Sequence, residues 1–475
     1  MGDLQSDAFV FFGASGDLAY KQIFPSLQRL VRDKDFNLPI IGVAKAGWSV
    51  DQLRARAKES LEKHGGIEQA AFEKLAKLLR YVDGDYSDGG TFAQLRKEMG
   101  DVRQPLHYLA IPPSLFATVV EGLAKSGCAD NARVVIEKPF GHDLSSAQQL
   151  NRTLHQYFPE ENIFRIDHYL GKEPVQNILY TRFANPIFEP IWDRTHIRSI
   201  QITMAEQFGV EDRGKFYDET GAVRDVMQNH MLQLLANLTM DPPTGEDHEA
   251  ARDQKAILLK AVRPLTHDCV VRGQYRGYGS VAGVAPGSTV ETFVAAKLFI
   301  DTWRWAGVPI FIRAGKELPV TATEIFVDFK RPPRETFGEI VPATSAHVRM
   351  RISPDITIGL GVRIKVPGER MVGNDVELKL TEQSAEDMPP YERLLSDAMH
   401  GISELFARQD LGEAQWRVVQ PILGDVTALY IYMSLVPGDR RKLINSSALM
   451  DPGSTRRRRE SSHEGCTRYT LDNNK

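Results

Sequence analysis

Between Arg165 and Glu173 the chain reads RIDHYLGKE, which brings an acid, a histidine, a tyrosine and a lysine into one short stretch. A lysine, a histidine and a phenol can together hold an anion such as a phosphate monoester, and an aspartate can orient a second histidine. The apolar run before them, Asn162 to Ile166, reads as a short strand. These polar groups then emerge at its carboxyl end, the edge at which open α/β sheets bind ligands.

Three other stretches could do chemistry. Phe9–Phe12 leads into Gly13-Ala14-Ser15-Gly16-Asp17-Leu18-Ala19, followed by a helical pattern through Arg32. Small residues let the backbone approach a pyrophosphate, and the helix N-terminus offers N–H groups and a positive dipole. The spacing is GxxGxxA rather than GxGxxG, so its weight comes from the strand–turn–helix setting; an ordinary glycine turn is the other reading. The second strand, Pro39–Ala44, should end beside an adenosine ribose. An acid there would favour NAD and a cation the 2′-phosphate of NADP; this chain has Lys45, and no acid follows before Asp51. Glu137-Lys138-Pro139-Phe140-Gly141 follows the apolar run Arg133–Ile136. It either aims Lys138 into a cleft or forms a plain strand-end turn. Finally, Val223, Met227, Met231, Leu234 and Leu238 make an apolar stripe at helical spacing, with His230 at its edge. By spacing alone His230 is more often a packed core histidine than a base.

The elements that must position these groups are legible in outline. Apolar runs ending at Phe12, Val43, Ile111, Ile136 and Ile166 alternate with helical patterns over Asp51–His64, Ile67–Arg80, Ser114–Lys125 and Leu144–Tyr157. That alternation predicts a parallel, doubly wound sheet. After about residue 170 come helices near Glu173–Phe183 and Val223–Leu238, then many alternating runs, IRSIQITM to VELKL, which predict a large, mostly antiparallel sheet. Helical patterns return over Tyr391–Arg408 and Glu413–Val419. The fold class is α/β: a Rossmann-like dinucleotide-binding domain over 1–170, then a larger α+β domain over 171–436 with an extended sheet. The segment 437–475 is polar and reads as a solvated tail.

Composition is that of a globular enzyme, with 475 residues, 42% hydrophobic, 25% charged and a net charge of -4. It gives no reason to expect nucleic acid or a membrane surface as partner. The cysteines Cys128, Cys269 and Cys466 form no CxxC pair and suit a reducing cytoplasm better than a disulfide framework. No apolar run approaches the ~20 residues of a membrane span.

The stretches FGASGDLA, EKPFG, DHYLGKEP and DVMQNHMLQ resemble those of the glucose-6-phosphate dehydrogenase family, over nearly the whole chain from Ala8 to Tyr432. The resemblance implies that His230 is the catalytic base, with Asp167 holding its other ring nitrogen. It also implies that His168, Tyr169 and Lys172 bind the sugar phosphate, that Glu206 and Asp225 accept sugar hydroxyls, and that Lys316 reaches the substrate. Lys138 would contact both sugar and coenzyme, through a cis Lys138–Pro139 bond. Gly13, Ala14, Ser15, Gly16, Asp17, Leu18 and Lys45 would hold the coenzyme, NADP with NAD possible. The expected substrate is glucose 6-phosphate, the setting cytoplasmic, and the assembly a homodimer or homotetramer built on the large sheet. No metal is expected, because an imidazole base can take a hydroxyl proton without a Lewis acid. The chain departs from the family pattern at Thr321 and Ser353, where many relatives carry a basic residue and a glutamine. The usual C-terminal Gly-Ser/Thr-Trp-Gly-Pro stretch is missing, which leaves a second, structural NADP site open. Two rivals follow: a dehydrogenase for another sugar or sugar phosphate, or a non-catalytic NADP-binding regulatory protein.

Overall fold

Strand β1, Ala8–Phe12, is buried at every position. Phe9 and Phe11 pack into one apolar cluster, Val10 and Phe12 into another. A strand covered on both faces reads as a continuous apolar run, as AFVFF does. The computed structural model describes residues 5–33, 36–245, 247–338, 341–342, 346–381, 389–424 and 429–433. The expected tail from 437 onward lies outside the described residues.

The chain divides into two units. The first comprises Met1–Gln176, Met240–Ile257 and Ser384–Ala414. Its sheet adds β2 (Ile40–Ala44), β3 (Leu79–Asp83), β4 (Pro105–Leu109), β5 (Arg133–Glu137) and β6 (Ile163–Ile166) to β1, in the order β3-β2-β1-β4-β5-β6. Every pairing is parallel. The order reverses between β1 and β4, and a ligand crevice opens at the carboxyl edge of such a sheet. Helices Phe24–Asp33, Val50–Lys63 and the late Pro390–His400 supply apolar residues to the Phe9 and Phe11 face. Helices Gly89–Met99 and Phe116–Lys125 supply the Val10 and Phe12 face.

Strand β3 corrects the sequence reading. The helix expected to reach Arg80 ends at Leu78, and LRYVD is extended. Only Leu79 and Val82 of it are buried. At the sheet edge it pairs with β2 alone, so it needs few apolar residues and leaves a weak pattern.

The second unit comprises Asn177–Thr239, Leu258–Gln383 and Gln415–Lys475. Its strands are β7 (Ile197–Ala205), β8 (Val270–Tyr275), β9 (Phe293–Leu298), β10 (Ile310–Gly315), β11 (Ala322–Phe329), β12 (His347–Ser353), β13 (Thr357–Lys365), β14 (Gly373–Thr381) and β15 (Leu429–Met433). They form one sheet, ordered β14-β13-β12-β11-β7-β10-β9-β8-β15. It is antiparallel except where β10 meets β7 and β15 meets β8. The expected mostly antiparallel sheet is therefore present. The helix carrying His230 is π-helical over Val223–Met231 and α-helical over Leu232–Thr239. Its stripe residues are buried, but so are Gln228, Asn229, His230, Gln233 and Asn237. The helix is enclosed on all sides rather than amphipathic, because it is a core element of a large unit.

Two late helices also differ from expectation. Pro390–His400 stops where Gly401 turns left-handed (φ 76°), short of Arg408, and the next helix starts at Gln409 rather than Glu413. Cys128 is buried and free.

Candidate active site

The dinucleotide turn sits between β1 and a helix that starts at Asp17 and runs through a π-helical stretch, Ala19–Ile23, into Phe24–Asp33. Gly13 has φ 80°, and a Cβ there would lie 2.2 Å from the Ala110 carbonyl oxygen. A Cβ on Gly42 of β2 would meet the Ala14 methyl at 2.9 Å. Two glycines thus let the turn lie tight against β2 and the end of β4. The Gly13 N–H donates to the Val43 carbonyl and the Tyr86 hydroxyl, both at 2.9 Å. Ala14 is buried, Ser15 and Leu18 are partly buried, and Gly16 and Asp17 are exposed at the first helical turn. An exposed backbone at a helix N-terminus on the carboxyl edge of the sheet fits a pyrophosphate. We expect Gly13→Val to lower the thermal midpoint by several degrees and to weaken dinucleotide binding in a titration. Unchanged values for both would mean that the turn has room for a side chain.

Lys45 follows β2 and is exposed, but it is not the lone charge that the sequence suggests. Its Nζ lies 2.7 Å from Asp85 Oδ2, just beyond β3. The lysine holds the Asp85 carboxyl well below the usual range, helped by the Ser87 N–H and hydroxyl. The acid was missed because the strand that delivers it was missed.

At the carboxyl ends of β5 and β6 several expected residues meet. The Lys138–Pro139 bond is cis, as expected, and Lys138 is partly buried. Asp167 is buried at the end of β6, and its Oδ1 accepts the Tyr169 N–H at 3.0 Å. The turn closes as the Leu170 N–H donates to the Asp167 carbonyl at 2.9 Å. The rings of His168 and Tyr169 meet edge to face with centroids 5.3 Å apart. Lys172 Nζ lies 3.8 Å from the Tyr169 ring centroid. Burial lowers the Lys172 pKa, Asp167 raises it, and nearby Lys138 lowers it further. A partly buried lysine whose charge is disfavoured beside a second lysine forms a place where an anion relieves the repulsion.

Glu137, beside Lys138, was not singled out from the sequence. Burial pushes its carboxyl up to about 7, while the Tyr108 and Tyr391 hydroxyls and Lys138 draw it down. Tyr391 lies far off in the chain, so no local pattern could have placed it there.

The second unit gathers another group. Parallel pairing sets Ala205 opposite Gly315, so the residues that follow, Glu206 and Lys316, emerge side by side. Lys316 Nζ is 2.6 Å from Glu206 Oε2 and 5.4 Å from the ring centroid of Tyr217. Tyr217 is buried, and its phenol is raised well above its ordinary pKa by burial and then by Asp225, Glu291 and Glu206. Glu206, Lys316 and Asp225 therefore surround Tyr217, which sequence reading overlooked. Thr321 packs nearby, accepting the Gln207 N–H at 3.0 Å. Asp225 lies in the first turn of the π-helical stretch and His230 in its last. Such π-helical turns recur at functional sites.

A doubly wound sheet with a glycine turn at a helix N-terminus, and basic and acidic groups at its carboxyl edge, defines a dinucleotide-dependent dehydrogenase. Residues 10–177 match the glucose-6-phosphate dehydrogenase NAD binding domain, and 179–449 match the C-terminal domain of the same enzyme. The chain is 46% identical over 431 residues to glucose-6-phosphate 1-dehydrogenase 1 of Mycobacterium tuberculosis, covering 90% of this chain and 92% of that one. It superposes on the crystal structure of glucose-6-phosphate 1-dehydrogenase from Mycobacterium avium with a TM-score of 0.84 and 47% identity, over 90% of this chain and 94% of the other. A glucose-6-phosphate dehydrogenase solved in complex with its substrate gives 0.83 at 36% identity, over 90% and 95%. The chain belongs to the glucose-6-phosphate dehydrogenase family. It is an oxidoreductase with glucose-6-phosphate 1-dehydrogenase activity, in the pentose phosphate pathway. Among the described residues no helix is long and apolar enough to cross a membrane.

Proposed function

We propose that the chain oxidises β-D-glucose 6-phosphate at C1 to 6-phosphoglucono-δ-lactone, preferring NADP and accepting NAD. The observation that carries this reading is the convergence of Lys138, His168, Tyr169 and Lys172 at the ends of β5 and β6. Lys172, Tyr169 and His168 hold the phosphate. Lys138 serves sugar and coenzyme. Glu206 and Asp225 accept sugar hydroxyls, and Lys316 orients Glu206 as well as reaching the substrate. His230 takes the C1 hydroxyl proton, and Asp167 stabilises the imidazolium that results. The Gly13–Leu18 turn holds the pyrophosphate and Lys45 the 2′-phosphate. A bound nicotinamide dinucleotide supplies the hydride acceptor. As the C1 hydroxyl loses its proton and the C1–H bond its hydride, the C1–O bond becomes the lactone carbonyl.

The same reading assigns coenzyme binding to 1–170, which also lends Lys138, His168 and Tyr169 to the sugar phosphate, and the rest of substrate binding and self-association to 171–436. It makes the protein a cytoplasmic homodimer or homotetramer. Ile364, Leu378 and Leu380 on β13 and β14 are exposed, which supports a further copy covering that part of the sheet.

Initial rates with glucose 6-phosphate, free glucose and other hexose phosphates test the substrate; comparable rates with free glucose would overturn it. For the coenzyme, we expect Lys45→Ala to lower the NADP/NAD ratio of kcat/KM by weakening NADP and sparing NAD. The effect should shrink as salt screens the contact. A ratio that does not change would mean that another residue reads the 2′-phosphate.

A further inference from the structure

The carboxyl ends of β2 and β3 lie side by side, Ala44 opposite Asp83. Asp83, the last residue of β3, and Asp85 just past it reach back to the loop that follows β2. Asp83 Oδ1 accepts the N–H groups of Ala46 (3.0 Å), Gly47 (2.7 Å) and Trp48 (3.4 Å), and the Tyr81 hydroxyl at 2.9 Å. Successive backbone N–H groups converging on one point form a nest that takes an anion; here a carboxylate of the chain fills it. Lys45, immediately before this nest, gives its Nζ to Asp85 Oδ2 at 2.7 Å. The other Asp85 oxygen is fixed by the Ser87 N–H (2.8 Å) and hydroxyl (2.7 Å). The cation expected to read a 2′-phosphate therefore has a held carboxylate on it, with a second on the adjoining backbone.

We propose that Asp85 is a specificity-determining residue that limits the preference for NADP over NAD by competing with the 2′-phosphate for Lys45. The proposal rests on the reading of Lys45 given above. A 2′-phosphate must share the lysine with Asp85 and approach Asp83, and like charges brought together oppose binding. A 2′-hydroxyl carries no charge and can donate to a carboxylate, the contact by which an acid at this place favours NAD. Both effects move the balance toward NAD. The chain is thus built for use of both coenzymes with a moderate NADP preference.

The test compares wild type, Asp85→Asn, Lys45→Ala and the double variant. Dissociation constants for NADP and NAD are measured by calorimetry without sugar phosphate, and kcat/KM for both with glucose 6-phosphate. Asp85→Asn should tighten NADP relative to NAD by roughly threefold or more, the scale of an exposed charge contact. The gain should fade at high salt and shrink when Lys45 is already alanine, where the competition for the lysine is gone and only the carboxylate's own repulsion of the phosphate remains. Asp85→Ser, which also removes the charge, should act in the same direction. If neither Asp85 variant moves the NADP/NAD ratio while Lys45→Ala lowers it, Lys45 reads the phosphate and Asp85 does not oppose it, which overturns the proposal. If Lys45→Ala leaves the ratio unchanged, the assignment of Lys45 itself fails and this proposal falls with it.

Discussion

Replacing His230 by asparagine is expected to leave glucose 6-phosphate binding near its wild-type level and to cut turnover by ~10²–10⁴-fold, the usual cost of losing a general base. Asparagine is polar and fits a site built for imidazole, but it cannot take up a proton near neutral pH. His230 is buried near the end of a π-helical stretch whose other polar residues, Gln228 and Asn229, are buried as well. The Asn229 side-chain oxygen accepts the His230 backbone N–H at 2.6 Å, a contact that asparagine at 230 can keep. A structural role would therefore show as weakened sugar-phosphate binding or a lower thermal midpoint, with turnover nearly preserved. Turnover within about tenfold of wild type would remove His230 from the chemistry.

Local periodicity carried far in some places and failed in others, for identifiable reasons. AFVFF and the runs ending at Val43, Ile136 and Ile166 are strands buried on both faces, so their apolar character is continuous and easily read. DHYLGKE is legible because the turn after β6 supplies Asp167, His168, Tyr169 and Lys172 within a few residues. Glu206 and Lys316 are far apart in sequence. Only the parallel register of β7 and β10 makes them neighbours, and no spacing rule contains that. Strand β3 was lost because an edge strand of five residues, with only Leu79 and Val82 buried, resembles the end of the helix before it. With it went Asp83 and Asp85, and with them the charge balance around Lys45. Pro390–His400 reads plainly as a helix, but nothing local announces that Leu394, Leu395 and Met399 join the core beside Phe9.

Lys172→Ala is expected to weaken glucose 6-phosphate binding by about tenfold or more, since a charge-assisted contact to an anion is worth roughly 1.5–3 kcal/mol. Lys172 stands over the Tyr169 ring, which fixes the direction of its ammonium group without supplying a full counter-charge. Burial and Lys138 make its charge costly, and Asp167 only partly offsets this. A dianionic phosphate would relieve both lysines at once, so its loss of affinity should exceed that for any neutral ligand. Free glucose, where its oxidation is measurable, lacks the phosphate and should lose much less. Lys172→Arg keeps the charge but not the compact ammonium, and should restore part of the binding. The decisive comparison is kcat/KM for the two sugars in wild type, Lys172→Ala and Lys172→Arg. Equal losses for glucose and glucose 6-phosphate in Lys172→Ala would show that this lysine supports the fold of the turn after β6 rather than the phosphate, and the assignment of the sugar-phosphate end of the site would have to move elsewhere.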